Sequence, residues 1–401
     1  MNIKKQTGLL YLYEAIICFR MVDVVWVIFL LQRGFSLAEV GLAEGIYHVT
    51  SMICEVPSGM VADLLGRRRT LILSGTAGIC SGIFMSLDWR GFVYLGMMFS
   101  ALCLNLASGT QEAITYDSLL EAGCPEDYKV VYARQNMIGR VCSAASCLFS
   151  PVALALGYRY TYLIFALLQL TGICTVLGVK EPAVTQVQQN RGRCGLRNFG
   201  KRLQHHVRET FTFIRKHPRT IAKLFANAGV ACPCYLIMMY LQEHLVSCGW
   251  PVPWIGIPML LIPLAGALGS WAAGKSRSGL LRAIIICGIW GGIGTCLAGS
   301  RILGMAILGA GLARACEGFA NVQVSENVNR DFDSEKRATL ISVDSMIYSV
   351  MMVAASPLTG FLGSRCGVTV IFYVLGGTML AATALLAGAY CRQRKTKNVQ
   401  Y

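Results

Sequence analysis

The stretch EVPSGMVADLLGRRRTLIL, Glu55 to Leu73, joins two apolar runs through one glycine and three arginines. The second run resumes directly after Arg69, so the chain passes from one helix to the next in a tight turn, and Gly66 suits that turn because it lacks a Cβ. Gly59 predicts close approach of a neighbouring helix. Asp63 stands four residues before Arg67, the spacing at which two side chains pair on a helix. Three arginines between long apolar runs fit a helical hairpin whose turn lies on the membrane face that collects positive charge. For Arg69 alone, that bias is a sufficient explanation.

Outward from this hairpin the same texture continues. The chain has 401 residues, 55% hydrophobic and only 14% charged. Soluble domains carry roughly a quarter charged residues, so this chain cannot hide its apolar surface from water in ordinary globules. Soluble enzymes, coiled coils and disordered tails are excluded. Runs of some twenty apolar residues recur to the end, and in lipid only a helix satisfies their backbone groups. The runs fall at roughly 9–31, 38–62, 70–88, 92–120, 132–156 and 160–180, then at 219–243, 253–274, 280–299, 302–328, 338–363 and 367–391. The expected fold is all-α and integral to the membrane, with twelve transmembrane helices in two pseudo-symmetric six-helix bundles. Glu14, Arg20 and Asp23 interrupt the first run and no small-residue cleavage site follows, so it is read as a retained helix and not as a secretory signal.

The formal net charge of +15 looks like a nucleic-acid signature until the bases are placed. With an even number of spans both termini share one face. Of the 36 Lys and Arg, 28 fall on that face, five on the other, and three (Arg20, Arg140, Arg314) inside spans. The charge is a topology signal that puts both termini in the cytoplasm, and no nucleic-acid partner is implied. The 17 cysteines are scattered through apolar runs with no paired framework. Cys232-Pro233-Cys234 lacks a second pair, so no metal is assigned.

The longest polar stretch divides the chain into a bundle at 1–180, a basic linker at 181–218, a second bundle at 219–391 and a tail at 392–401. Within the linker, Leu203, Val207, Phe211 and Ile214 recur at helical spacing on a basic background. That suits either an amphipathic helix on the cytoplasmic leaflet or a solvated connection. A shift of 209 positions superposes Gly109 on Gly318, Asp117 on Glu326 and Met137-Ile138 on Met346-Ile347, in support of a duplicated architecture.

The set Gly59, Asp63, Gly66, Arg67 and Arg68 resembles the signature loop between the second and third helices of the major facilitator superfamily, and in particular of twelve-helix bacterial drug/proton antiporters. The resemblance implies alternating access and a conformational latch at this turn, with Asp117 and Arg134 as its further members. At the matching turn of the second half, Gly269 and Gly274 are kept, but Ala273 stands where an acid is expected, which predicts a weaker latch. Antiporters of the family carry an Arg four residues before a Gly on the fourth helix. Here Asn105 precedes Gly109, whereas Arg314 precedes Gly318 in the second half. The fifth helix keeps Gly139 and Pro151 of the family's glycine-rich pattern.

Charges inside spans cost several kcal/mol unless paired or facing water, so each is a functional candidate. Asp23 is the leading proton carrier, with Arg20 on the same face able to neutralise it. Glu112 and Arg140 are expected to pair across adjacent helices, and Arg314, Glu317 and Asp344 to form a matching group in the second half. Glu14 reads as a helix-end residue and His48 as a minor candidate. Arg20, Trp26, Tyr47, Phe99, Tyr116, Phe319 and Tyr348 are candidate cavity-lining residues. The expectation is a monomeric secondary transporter of the cell membrane that exports a small amphipathic or hydrophobic molecule. It has no cofactor, and a proton gradient drives it, with Na+ as the alternative ion. The rival readings are an importer of a sugar, organic anion or peptide fragment, and a membrane sensor that moves nothing. No nucleophile, paired-His or Walker-type signature supports an enzyme.

Overall fold

A computed structural model describes residues 2–183, 199–276, 279–330 and 334–398. Most of the expected linker core (184–198), residues 277–278 and 331–333, and the end of the tail lie outside the described residues. Among those described there is no strand. In the first half the helices are α1 (Ile3–Cys18), α2 (Trp26–Gln32), α3 (Leu37–Leu65), α4 (Arg67–Ser86), α5 (Arg90–Ala107), α6 (Thr110–Glu121), α7 (Tyr128–Cys147) and α8 (Ser150–Leu177). They are followed by α9 (Phe199–Lys216), α10 (Pro218–Ser247), α11 (Gly256–Lys275), α12 (Leu280–Ala298), α13 (Leu303–Arg330), α14 (Ser334–Cys366) and α15 (Val368–Asn398).

Taken with their breaks, these helices supply the twelve segments read from the sequence: α1 with α2, α3, α4, α5 with α6, α7 and α8, then α10 to α15. Eight of the described segments are long and apolar enough to cross a membrane on length and composition alone, including all six of the second half. The four that fall short carry many of the span and turn charges of the first half: Glu14, Arg20 and Asp23; Glu44, Glu55 and Asp63; Arg67 to Arg69; and Arg134 and Arg140; Glu112 and Asp117 lie in the passing segment α5 with α6. The first bundle is therefore the polar one.

Three segments expected to be continuous are broken. The first span stops at Phe19 and resumes at Trp26 through a 3-10 turn at Met21–Val24, with Arg20 at φ −118°, ψ 83°. The fourth breaks at Gly109 (φ 68°, ψ −39°), a backbone state that any other residue would strain to reach. The fifth breaks at Leu148–Phe149 and reforms as the first turns of α8, which in turn bends at Gly157. Such breaks free backbone groups, and in a membrane they persist where protein or a wet cavity satisfies them. At the hairpin turn, Gly66 has φ 94°, so α4 begins one residue after α3 ends.

The chain forms two compact units, one comprising Met1–Phe29 with Ala43–Thr212, the other Leu30–Leu42 with Phe213–Tyr401. In the first unit, Leu10, Tyr13, Leu71, Ile114, Val176 and Val179 form a buried cluster that ties α1, α4, α6 and α8 together. In the second, Leu224, Ala228, Ile284, Val324, Val328, Val343 and Ile347 do the same for α10, α12, α13 and α14. Helices there approach through small residues: a Cβ on Gly269 would strike the Ala315 backbone, and one on Gly318 would strike Gly266. By contrast, Gly59 has no neighbour within 4 Å of where its Cβ would stand, so the expected helix approach at that position is not formed.

Candidate functional site

The break at Gly109 opens a polar cavity of about 110 Å³ in the first unit. Glu14 from α1, Gln111 and Glu112 from α6, and Tyr132, Gln135 and Asn136 from α7 line it, with Ala107 to Gly109 as its wall. The break itself positions both sides, because ending α5 and restarting at Thr110 turns the first residues of α6 towards α1 and α7.

Both carboxylates are held by neutral donors. Gln111 Nε2 donates to Glu14 Oε2, and Cys18 Sγ donates to Glu14 Oε1 at 3.2 Å. Tyr132 Oη donates to Glu112 Oε1, while Asn136 Nδ2 donates to the Tyr132 carbonyl at 3.1 Å. Thr115 Oγ1 donates to Gln135 Oε1 at 3.1 Å and so fixes that amide's face. Gly139 has a local reason to lack a side chain: a Cβ there would collide with Glu14 Oε1. No Lys or Arg lines the cavity. Its volume has room for several waters, but it is smaller than the roughly 300 Å³ at which drug-sized pockets begin. As built, its size suits water and not a drug-sized molecule.

At the turn from α3 to α4, Arg67 Nη1 meets Asp63 Oδ1 at 3.1 Å and Arg67 Nε lies 3.8 Å from Asp117 Oδ2. One guanidinium thus stands between two carboxylates from α3 and α6. A model of the Major Facilitator Superfamily matches residues 15–277, which include this turn and every cavity-lining residue except Glu14. The chain belongs to the major facilitator superfamily.

The relatives of this superfamily member agree. It is 20% identical over 379 residues to the MFS-type transporter YxaM of Bacillus subtilis (strain 168), a match that covers 89% of this chain and 88% of that one. It is 25% identical over 231 residues to the inner membrane transport protein YajR of Escherichia coli (strain K12), with 55% of this chain and 45% of that one covered. Among solved structures, the nucleoside transporter NupG superposes with a TM-score of 0.77 at 15% identity, over 97% of this chain and 99% of that one. That last likeness is one of fold. The protein is a multi-pass membrane transporter of this superfamily, in a family that moves small molecules.

The other residues singled out in the sequence are distributed as follows. Asp23 pairs with Arg20, Nε to Oδ2 at 3.1 Å, at the break between α1 and α2, and the Arg20 guanidinium also lies over the Phe165 ring at 5.3 Å. Glu112 and Arg140 do not pair, because Glu112 turns to Tyr132 and Arg140 lies on an exposed face of α7. Arg134 is exposed and joins no ion pair with Asp63 or Asp117 among the described residues. Arg68 meets no acid of the latch either; its Nε donates to the Val176 carbonyl at 3.2 Å.

In the second unit, Arg314 pairs with Glu317 at 3.0 Å, and Gly266 on α11 leaves room for the Arg314 chain. Asp344 is half-buried on α14 and makes no ion pair with either among the described residues. Ala273 is buried, and its carbonyl accepts from Gln323 Nε2 at 3.1 Å. Trp26, Tyr47, Phe319 and Tyr348 are half-buried and Tyr116 is exposed, and none of them lines the Glu14 cavity. Phe99 stacks on Phe84 at 5.5 Å. Asn105 accepts from Ser51 Oγ at 3.0 Å and donates to the Ser51 carbonyl, which locks α5 to α3.

Sequence reasoning missed Glu14, Gln111, Gln135 and Tyr132. The available signal was the run of polar residues Gln111, Glu112, Thr115, Gln135 and Asn136 on two apolar segments, each too costly in lipid to be without a partner.

Proposed function

We propose that this superfamily member is a proton-coupled secondary transporter that exports a small amphipathic or hydrophobic compound by alternating access. It works in the cell membrane with both termini cytoplasmic, and the proton gradient is its energy source with no cofactor. One observation carries the reading: Glu14 and Glu112 share a polar cavity lined by no Lys or Arg. A carboxylate whose donors are a glutamine and a tyrosine takes up a proton without an ion pair being broken, whereas Asp23 would have to release Arg20. Loading and unloading these carboxylates changes the cavity's charge, and a helix already broken at Gly109 can respond by moving α6 against α1 and α7. Coupling follows if the protonated form favours one access state and the cargo the other. What supports export is the partial match to the antiporter pattern at Gly139 and Pro151, the first of which makes room for Glu14.

The test is proton flux in proteoliposomes that hold pyranine inside, started by ethidium as an amphipathic cation probe and repeated with the intact chain, Glu14→Gln, Glu112→Gln and Asp23→Asn. Dye-driven proton release is expected to fall at least about tenfold in both glutamine variants, on the scale of a lost coupling group. Full coupled flux in both would overturn the assignment of the cavity. Cysteine labelling of the two termini in intact cells checks the topology, and both must stay protected from an impermeant reagent.

A further inference from the structure

Helix α9 takes no part in the proton site. It ends at Lys216, and a single non-helical residue, His217 (φ −124°, ψ 55°), separates it from α10. Its last turn is fixed by packing. Phe213 is buried among Leu224, Ile284, Val324, Val328 and Leu340, with Ile214 beside it. Leu224 belongs to the second turn of α10, Ile284 to the second turn of α12 and Val328 to the end of α13. Phe213 therefore caps one end of the second bundle, and the last turn of α9 lies over that end.

A second observation places that end at the headgroup layer. α11 closes where α10 opens, and in its last turns Trp271 is exposed with Lys275 Nζ 3.8 Å from the centre of its ring. An amphipathic ring beside a lysine is how spanning helices anchor at the interface. The charge there is one-sided. α9 carries five Lys and Arg against one acid, Glu209, and of these Arg208, Arg215 and Lys216 are exposed, as is Arg219 just beyond.

We propose that α9 docks on anionic phospholipid headgroups, through Arg208, Arg215 and Lys216, with Phe213 as the fixed point that holds the basic face at headgroup depth. A soluble acidic partner or nucleic acid is disfavoured by that anchoring, since the helix is one residue away from a spanning segment and lies beside anionic lipid whether or not another partner is present. Each basic side chain near an anionic surface adds about fivefold to binding, so three together contribute on the order of a hundredfold.

The test uses the full chain in nanodiscs of phosphatidylcholine alone and of equal parts phosphatidylcholine and phosphatidylglycerol, with hydrogen-deuterium exchange read over 199–216. Exchange is expected to slow by about tenfold or more when phosphatidylglycerol is present. The slowing should vanish at high salt, where charge is screened, and in Arg208→Gln/Arg215→Gln/Lys216→Gln, but remain in Arg208→Lys/Arg215→Lys. Equal exchange in the two lipids overturns the proposal. So does slowing that survives salt and the glutamine variant, which would mean that protein packing alone holds the helix. Equal slowing by soluble polyglutamate in pure phosphatidylcholine would also overturn it, in favour of an acidic protein partner. Should the triple variant misfold, the salt series on the intact chain still decides the matter.

Discussion

Glu181 accepts the two backbone N–H groups that open α4, from Arg67 at 2.8 Å and from Arg68 at 2.9 Å. The contact is reciprocal, since Arg68 Nε donates to the Val176 carbonyl at the other helix's end. Each helix terminus thus receives from the other the partner its own backbone lacks. The start of the linker is held at three further points: Gln6 exchanges hydrogen bonds with the Lys180 backbone at 2.9 and 3.0 Å, and Ala183 N donates to Glu121 at 2.6 Å.

Glu181→Ala removes a charged cap from the signature turn. Losing a charge-assisted cap costs about 2 kcal/mol, so thermal unfolding in detergent should show a clear fall in midpoint, with Glu181→Gln intermediate. An unchanged midpoint in the alanine variant would mean that water replaces the cap at no cost.

Asp23→Asn leaves Arg20 without its counter-charge at the break between α1 and α2. Removing one partner of such a pair costs about 1 to 3 kcal/mol after allowance for partial exposure. The doubly neutral Arg20→Gln/Asp23→Asn chain should regain part of that loss. A double-mutant cycle on unfolding midpoints measures the coupling, and a coupling near zero would contradict the 3.1 Å pairing.

Much of the fold is legible in the sequence for physical reasons. Apolar runs of membrane length and the turn at Gly66 are local properties, and so is the Arg20–Asp23 spacing, which the structure closes into an ion pair. What the sequence leaves open depends on residues distant in the chain. Glu14 reads as a helix-end residue because nothing near it says otherwise; its setting comes from Gln111 on α6 and the bare backbone of Gly139 on α7. Gly109 inside an apolar run looks like a packing glycine, yet its positive φ breaks the helix and builds the cavity. Arg140 is on the expected helix, but helix periodicity alone does not say that α7 turns it away from Glu112.

Gly139→Ala separates packing from coupling. The added methyl must displace the Glu14 carboxylate or α7 itself. Coupled proton flux should fall severalfold while the unfolding midpoint drops by the equivalent of about 1 to 3 kcal/mol. Gly139→Ala with Glu14→Gln should be no worse in flux than Glu14→Gln alone, because both act through one group. Additive losses would show that Gly139 matters for another reason.

His244, fully buried in the second unit, provides the sharpest test of packing remote from the proposed proton path. Its Nε2 lies 2.9 Å from the Ser300 carbonyl and its Nδ1 3.4 Å from Thr369 Oγ1, with the ring against Phe372 at 5.0 Å. A carbonyl can only accept, so Nε2 carries the hydrogen and Nδ1 accepts from the Thr369 hydroxyl. His244→Leu keeps the volume but removes the partner of that half-buried carbonyl and of that half-buried hydroxyl, at about 1 to 3 kcal/mol for the two. Thr369→Val removes the hydroxyl and leaves only Nδ1 unmet, at about 1 kcal/mol. Unfolding midpoints should rank intact chain, Thr369→Val and His244→Leu in falling order, while dye-driven proton flux per folded molecule stays unchanged in all three. Flux that falls in step with the midpoint would tie this joint to the transport cycle.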